Sequence, residues 1–185
     1  YTVGHEKRSI VFMRKYLSQK GFPDQQIEDC SHLIMCTILN LPPKEIPFRS
    51  SEIETLGKIV GTADLMAQIA DRYYLEKLLL LFQEFQEAGV PDFATELDLL
   101  KKTRGFYKNV ANQRLVHDFS GISTNMGAHF KKRWGVEKDL YAESIQKNID
   151  YLKVLLERTG DNIVTVKQTL RRGVFNLNRD DTSKS

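Results

Sequence analysis

Asp64 lies within Ile59–Ala67, a run otherwise made of small and apolar residues. A carboxylate in such company is tolerated when it is paired or bound to a cation. On a helix, Asp64, Gln68, Asp71 and Arg72 fall at i, i+4, i+7 and i+8, one polar stripe bordering an apolar face. Spacing alone leaves two readings open: an aspartate paired with Arg72 or with another helix, or a carboxylate held for a cation. His5, in the string Gly-His-Glu-Lys-Arg-Ser, opens the first helical pattern, with Ser9 four residues on. An imidazole there could ligate a metal or donate to phosphate, or it could be an exposed surface group. His32, in the middle of an apolar helix, reads as a hydrogen-bonded core histidine. His117-Asp118, with His129 twelve positions later, reads as packing or a helix cap.

The elements that must position these groups are helical throughout. Ile10, Met13 and Leu17 recur at three and four spacing, and no strand alternation of useful length occurs. After Gly21-Phe-Pro23, Asp24 is the expected N-cap of a helix whose apolar run from Ile27 reaches Leu39 before Pro42-Pro43 ends it. Ser51, with Glu54 three residues later, reads as a capping box for a helix through Ala70. Residues 73–88 are apolar on more than one side, which places that helix at the centre of the bundle until Gly89 stops it. Further helices are expected at about 92–108, 110–118, 124–133, 138–158 and 161–172. The fold class is all-α, with residues 1–90 as one helical core, 91–175 as a C-terminal helical layer packed on it and 176–185 as a polar tail.

Composition narrows the function. The longest apolar stretch, Leu78 to Phe82, is cut by Gln83 and Glu84, so no membrane span or membrane partner is expected. A net charge of +3, from 27 basic and 24 acidic residues, gives no reason to expect nucleic acid; Lys131, Lys132, Arg133 and Trp134 read as a solvated helix end. Cys30 and Cys36, six apart in an apolar helix, read as buried thiols in a reducing compartment, hence a cytoplasmic protein. The chain opens on Tyr1 with no leader, which reads as an N-terminal truncation. Phe106, Tyr107, Phe130, Trp134, Tyr141 and Tyr151 sit at helical spacing and read as core, with covering a pocket mouth or forming a homodimer face as the alternatives. No Walker loop, dinucleotide fingerprint or nucleophile elbow occurs.

Four strings in order, Gly4-His-Glu-Lys-Arg-Ser-Ile10, Leu17 through Ile27, His32-Leu-Ile-Met-Cys-Thr37 and Thr62-Ala-Asp-Leu65, resemble the second half of an HD-superfamily metal-dependent phosphohydrolase domain. The resemblance covers roughly residues 4–80. It implies an HD-type helical bundle in which Asp64 is the last metal-binding carboxylate and His5 lies beside the metal or touches substrate phosphate. Gln68 and Arg72 on the stripe, and Ser9 after His5, become the candidates for substrate contact. The implied cofactor is a divalent metal, Mn, Mg, Fe or Zn, that lowers the pKa of a bound water and polarises a phosphoryl group. The implied partner is a phosphorylated small molecule or nucleotide. The family's first histidine and its His-Asp pair belong upstream of His5, so this chain would hold only part of the ligand set. The rival expectation is a degenerate HD-type module that binds ligand or signals without catalysis.

Overall fold

The computed structural model describes residues 3–160 and 162–170. Eight α-helices account for the architecture among them, and no strand occurs. They are α1 (His5–Gln19), α2 (Asp24–Met35), α3 (Ser51–Ala70), α4 (Tyr74–Glu87), α5 (Glu96–Phe106), α6 (Met126–Trp134), α7 (Leu140–Thr159) and α8 (Ile163–Thr169). The all-α expectation holds. The polar tail proposed at 176–185 lies outside the described residues.

Capping chemistry sets most helix starts, sometimes one residue from the expected place. Ser50 caps α3, its Oγ accepting from the Ile53 amide at 3.4 Å, and Ser51 is already helical. The capping serine is thus the first of Ser50-Ser51, because Ser50 is the one left in extended backbone where its hydroxyl can reach back. At α2 the N-cap is Pro23 and Asp24 sits in the first turn, where its charge favours the helix dipole. Thr95, Asp139 and Asn162 cap α5, α7 and α8 through side-chain oxygens at 3.1, 2.9 and 3.1 Å.

Two expected helices, 92–108 and 110–118, form a single rod. Two π-helical turns, Tyr107–Ala111 and Arg114–Asp118, carry α5 onward without a break at Gly105. A π turn adds a residue per turn and rotates the helix beyond it, and such turns recur at functional sites. Helix α2 is shorter than expected, ending at Met35 rather than Leu39. The carbonyls beyond it are collected by Arg114 of the second π turn.

The central helix is α3, not α4. Gly57, Gly61, Thr62, Leu65, Met66 and Ile69 are buried along it, and it packs on α2, α4 and α7. Helix α4 buries one face, through Leu75, Leu78 and Leu79. Glycine decides α3's place: a Cβ at Gly61 would stand 2.5 Å from the Phe119 ring and 2.9 Å from the Cys36 carbonyl. Ile145, Ile149, Leu152 and Leu155 bring α7 against the same core, which runs as one cluster from Leu65 to Leu170. Each such aliphatic side chain contributes about 1.5–3 kcal/mol on burial. Of the aromatics expected in the core, Phe130 is buried and Phe106, Tyr107 and Tyr141 are partly so, whereas Trp134 and Tyr151 are exposed. Trp134 instead lies over Phe130 and His129, ring centres 5.4 Å away in both cases, at the outer end of α6.

Candidate functional site

A cavity of about 680 Å³ opens between two walls of helix. One wall is the first turn of α1, the exit of α2 and the 61–69 face of α3; the other is α4 with α5 and its first π turn. The period of α3 explains its contribution: Gly61, Asp64, Leu65 and Gln68 fall on one face at i, i+3, i+4 and i+7, so an acid and an amide share it with glycine and leucine. Glycine at position 4, in left-handed backbone, starts α1 at His5 and leaves His5 and Glu6 in its first turn, facing the cavity.

Polar groups concentrate on the α1–α2–α3 wall, where His5, Glu6, Thr37, Asn40, Asp64 and Gln68 line the space. Asp64 is half-buried and accepts a hydrogen bond from Gln68 Nε2 at 3.1 Å. His5 Nε2 stands 3.6 Å from Glu6 Oε1, and Glu6 is the more enclosed of the two, its side chain 18% exposed against 58%. The facing wall is mostly apolar, through Leu78, Leu81, Phe85, Leu99, Phe106 and Val110, with Lys102, Thr103 and Asn109 among them. Two buried hydroxyl residues stand on it: Thr103, bonded to the Leu99 carbonyl at 2.8 Å, and Tyr74, 8% exposed, with the phenol pushed up to about 12 by burial. Cys36, fully buried at the α2 exit, has its thiol pushed up to about 11, chiefly by the same desolvation.

Two cations reach this space and both are committed elsewhere. Arg114, buried on the second π turn, donates through Nη1 to the carbonyls of Leu39 at 2.8 Å and Leu41 at 3.3 Å, and through Nη2 to those of Cys36 at 3.1 Å and Ile38 at 3.2 Å. It also pairs with Asp118 at 3.4 Å and lies 4.8 Å from the centre of the Phe119 ring. Burial lowers its pKa from the usual guanidinium value. The arginine therefore ties down residues 36–41, the segment that leaves α2, while the carbonyls of the helix's last turn are taken by the amides of Cys36, Thr37 and Ile38. Lys102 bonds Asp98 at 3.0 Å and the Asp92 carbonyl at 3.2 Å.

Of the residues singled out by sequence, the fold brings His5, Asp64 and Gln68 to this cavity. Ser9 and Arg72 are exposed and do not line it: Ser9 lies one turn further along α1, and Arg72, past the end of α3, lies over the Tyr73 ring at 4.6 Å. Asp71 also leaves the stripe, because α3 ends there; its carboxylate takes the Tyr73 amide at 2.8 Å and the Lys77 ammonium, which hold its pKa below the usual carboxylate range. The partner that Asp64 takes along the stripe is Gln68, not Arg72. His32 is a core histidine with Nε2 3.4 Å from Glu28, though its Nδ1 has no partner among the described residues. Neither His117 nor Asp118 lines the cavity, and Asp118 serves Arg114.

The chain belongs to the Npun_R2479-like family, whose model matches residues 2–127. No curated protein and no solved structure matches it. In this Npun_R2479-like chain every residue lining the cavity, from His5 to Phe119, falls inside the matched segment, whereas α6, but for its first two residues, and all of α7 and α8 fall beyond it. Among the described residues no three His, Cys, Asp or Glu side chains gather around one point. His5 and Asp64 therefore fit a divalent metal only as part of a larger ligand set, since hydrolytic sites take three or more protein ligands. Sequence reasoning missed Arg114 and Tyr74. The signal for Arg114 was a charge between Ala111 and Leu115, two residues buried in the core, in a segment with no other reason to carry one there.

Proposed function

We propose that this cavity is a small-molecule site, and that its polar wall is the metal-holding side of a phosphohydrolase centre of the HD type, with Asp64 and His5 as ligands. The observation that carries the reading is that His5 and Asp64, far apart in the chain, line one cavity. That juxtaposition is what the sequence resemblance implies, and an imidazole with a carboxylate suits Mn, Fe or Zn. On this reading His5 and Asp64 are part of a larger ligand set. When bound, the ion would supply an activated water and polarise the phosphoryl group; Gln68 holds the Asp64 carboxylate in orientation through its amide.

The second reading is a ligand-binding or signalling module without catalysis, favoured by the commitment of Arg114 and Lys102 to other acceptors. Phosphate release from p-nitrophenyl phosphate with added manganese separates the two. The first reading expects any release to fall at least tenfold in both Asp64→Ala and His5→Ala, with the helical circular dichroism of each unchanged. Release that survives both substitutions removes the proposed site, and ligand-induced thermal stabilisation without release supports the second reading.

A further inference from the structure

Helix α1 carries two stripes on opposite sides. Ile10, Met13 and Leu17, at i, i+3 and i+7, are half-buried, and the helix packs on α2. Arg8, Val11, Phe12, Lys15, Tyr16 and Gln19, at i, i+3, i+4, i+7, i+8 and i+11, form the other stripe, and every one of them is exposed. Val11 is 69%, Phe12 71% and Tyr16 50% exposed, and the Phe12 and Tyr16 rings stack with centres 6.2 Å apart. A surface helix needs one apolar stripe to hold it to its own fold. A second one, turned outward, marks a face for another body. We propose that this outer face of α1 docks on an anionic lipid surface, an inference that does not depend on how the cavity is read.

Charge identifies the body. Residues 1–20 hold Lys7, Arg8, Arg14, Lys15 and Lys20 against one carboxylate, Glu6, a net +4. The whole chain carries +3, so residues 21–185 sum to −1, and the positive excess that looks small over the full length lies entirely on α1 and on Lys20 just past it. Composition alone gives no reason to expect a membrane partner; the position of the charge does. Arg14 is turned to α2, where Glu28 and Ser31 take it, and Lys20 lies over the Tyr16 ring at 5.7 Å. Arg8, which also donates to the Val3 carbonyl at 2.7 Å, and Lys15 stand in the exposed stripe itself, which contains no acid.

Long cations interleaved with aromatic and aliphatic side chains suit the lipid interface. Val11 and the two rings enter the acyl boundary, while the arginine and lysine stems extend back to the head-group phosphates. A second copy of the chain suits the face poorly, because pairing two such stripes sets Arg8 and Lys15 against cations. Nucleic acid would satisfy the cations but leave Val11 in water. Among the described residues no helix is long and apolar enough to cross a membrane, so the contact is one of surface attachment.

The test is flotation of the full chain with vesicles of phosphatidylcholine alone and of phosphatidylcholine mixed with phosphatidylglycerol, at low and at physiological salt. Each cation near an anionic leaflet strengthens attachment about fivefold. Binding to the mixed vesicles should therefore exceed binding to the neutral ones by about tenfold or more and weaken as salt rises. Arg8→Gln with Lys15→Gln should lower it about 25-fold, fivefold for each charge. Phe12→Gln with Tyr16→Gln, both at exposed positions, should lower it about fivefold or more with the helical circular dichroism unchanged. Equal binding to both vesicles, binding to neither, or charge-dependent binding untouched by the Phe12 and Tyr16 substitutions overturns the proposal. An oligo(U) strand held more tightly than the mixed vesicles would move the face to nucleic acid, and a dimer in sedimentation that Phe12→Gln dissolves would move it to a second copy; either result overturns the lipid assignment.

Discussion

Replacing Arg114 should damage the fold more than any other single charge removal. Its guanidinium satisfies the carbonyls of residues 36, 38, 39 and 41 at 2.8–3.3 Å. Leu39 is exposed, so water can replace the arginine at the outer carbonyls, whereas Cys36 is fully enclosed. Counting two interior bonds from a charged donor at about 1.5–3 kcal/mol each gives about 3–6 kcal/mol. Relief from burying the guanidinium offsets part of this, which leaves a loss of about 2–4 kcal/mol for Arg114→Ala. With a urea m-value of about 2 kcal/mol/M, the midpoint should move down by about 1–2 M. Arg114→Met restores hydrocarbon volume but no donors and should lose nearly as much. Arg114→Lys offers one ammonium where two amino groups each serve two carbonyls, and should lose at least half. Equilibrium urea unfolding followed by circular dichroism measures all three. If Arg114→Ala and Arg114→Met both stay within about 0.5 kcal/mol of the parent, the carbonyl-capping role is wrong.

Gly61→Ala should destabilise by about 1–3 kcal/mol through overpacking, despite alanine's better helix propensity, because the new methyl meets the buried Phe119 ring; thermal unfolding checks this, and a rise in Tm would show that α3 and Phe119 can separate freely. Asp29 is held below its ordinary value of 3.8 chiefly by its hydrogen bonds from Arg49, at 3.3 and 2.7 Å. A carboxylate with a depressed folded pKa contributes stability above its unfolded pKa and loses it as pH falls through the folded one. Arg49→Ala should therefore flatten the loss of stability as pH falls below the ordinary 3.8 of the carboxyl, measured by urea midpoints at each pH, and an unchanged acid limb would show the pair to be inert.

The helical class was readable because apolar residues recur at three and four spacing and little competes with that pattern. The place of each boundary was less so. Ser50 and Ser51 offer the same hydroxyl, and only the backbone conformation selects the first. The chain that follows α2 is held by Arg114, far along the sequence, and the joining of two helices through π turns has no local marker in the sequence. Asp64 and His5 were legible as chemistry because an acid in an apolar run and a histidine at a helix start are locally odd. Arg72 and Ser9 were not separable from them by spacing, since the stripe continues in sequence after α3 has ended at Ala70. Tyr74, one of two adjacent tyrosines, gives no local sign of which ring faces the cavity.

The most direct test of the proposed metal site is anomalous diffraction from crystals soaked in manganese. A peak should lie in the cavity within about 2.5 Å of an Asp64 carboxylate oxygen, on the side of His5, and should vanish in Asp64→Ala crystals. A manganese peak elsewhere on the molecule with none at Asp64, or a cavity peak that persists in Asp64→Ala, would contradict the account.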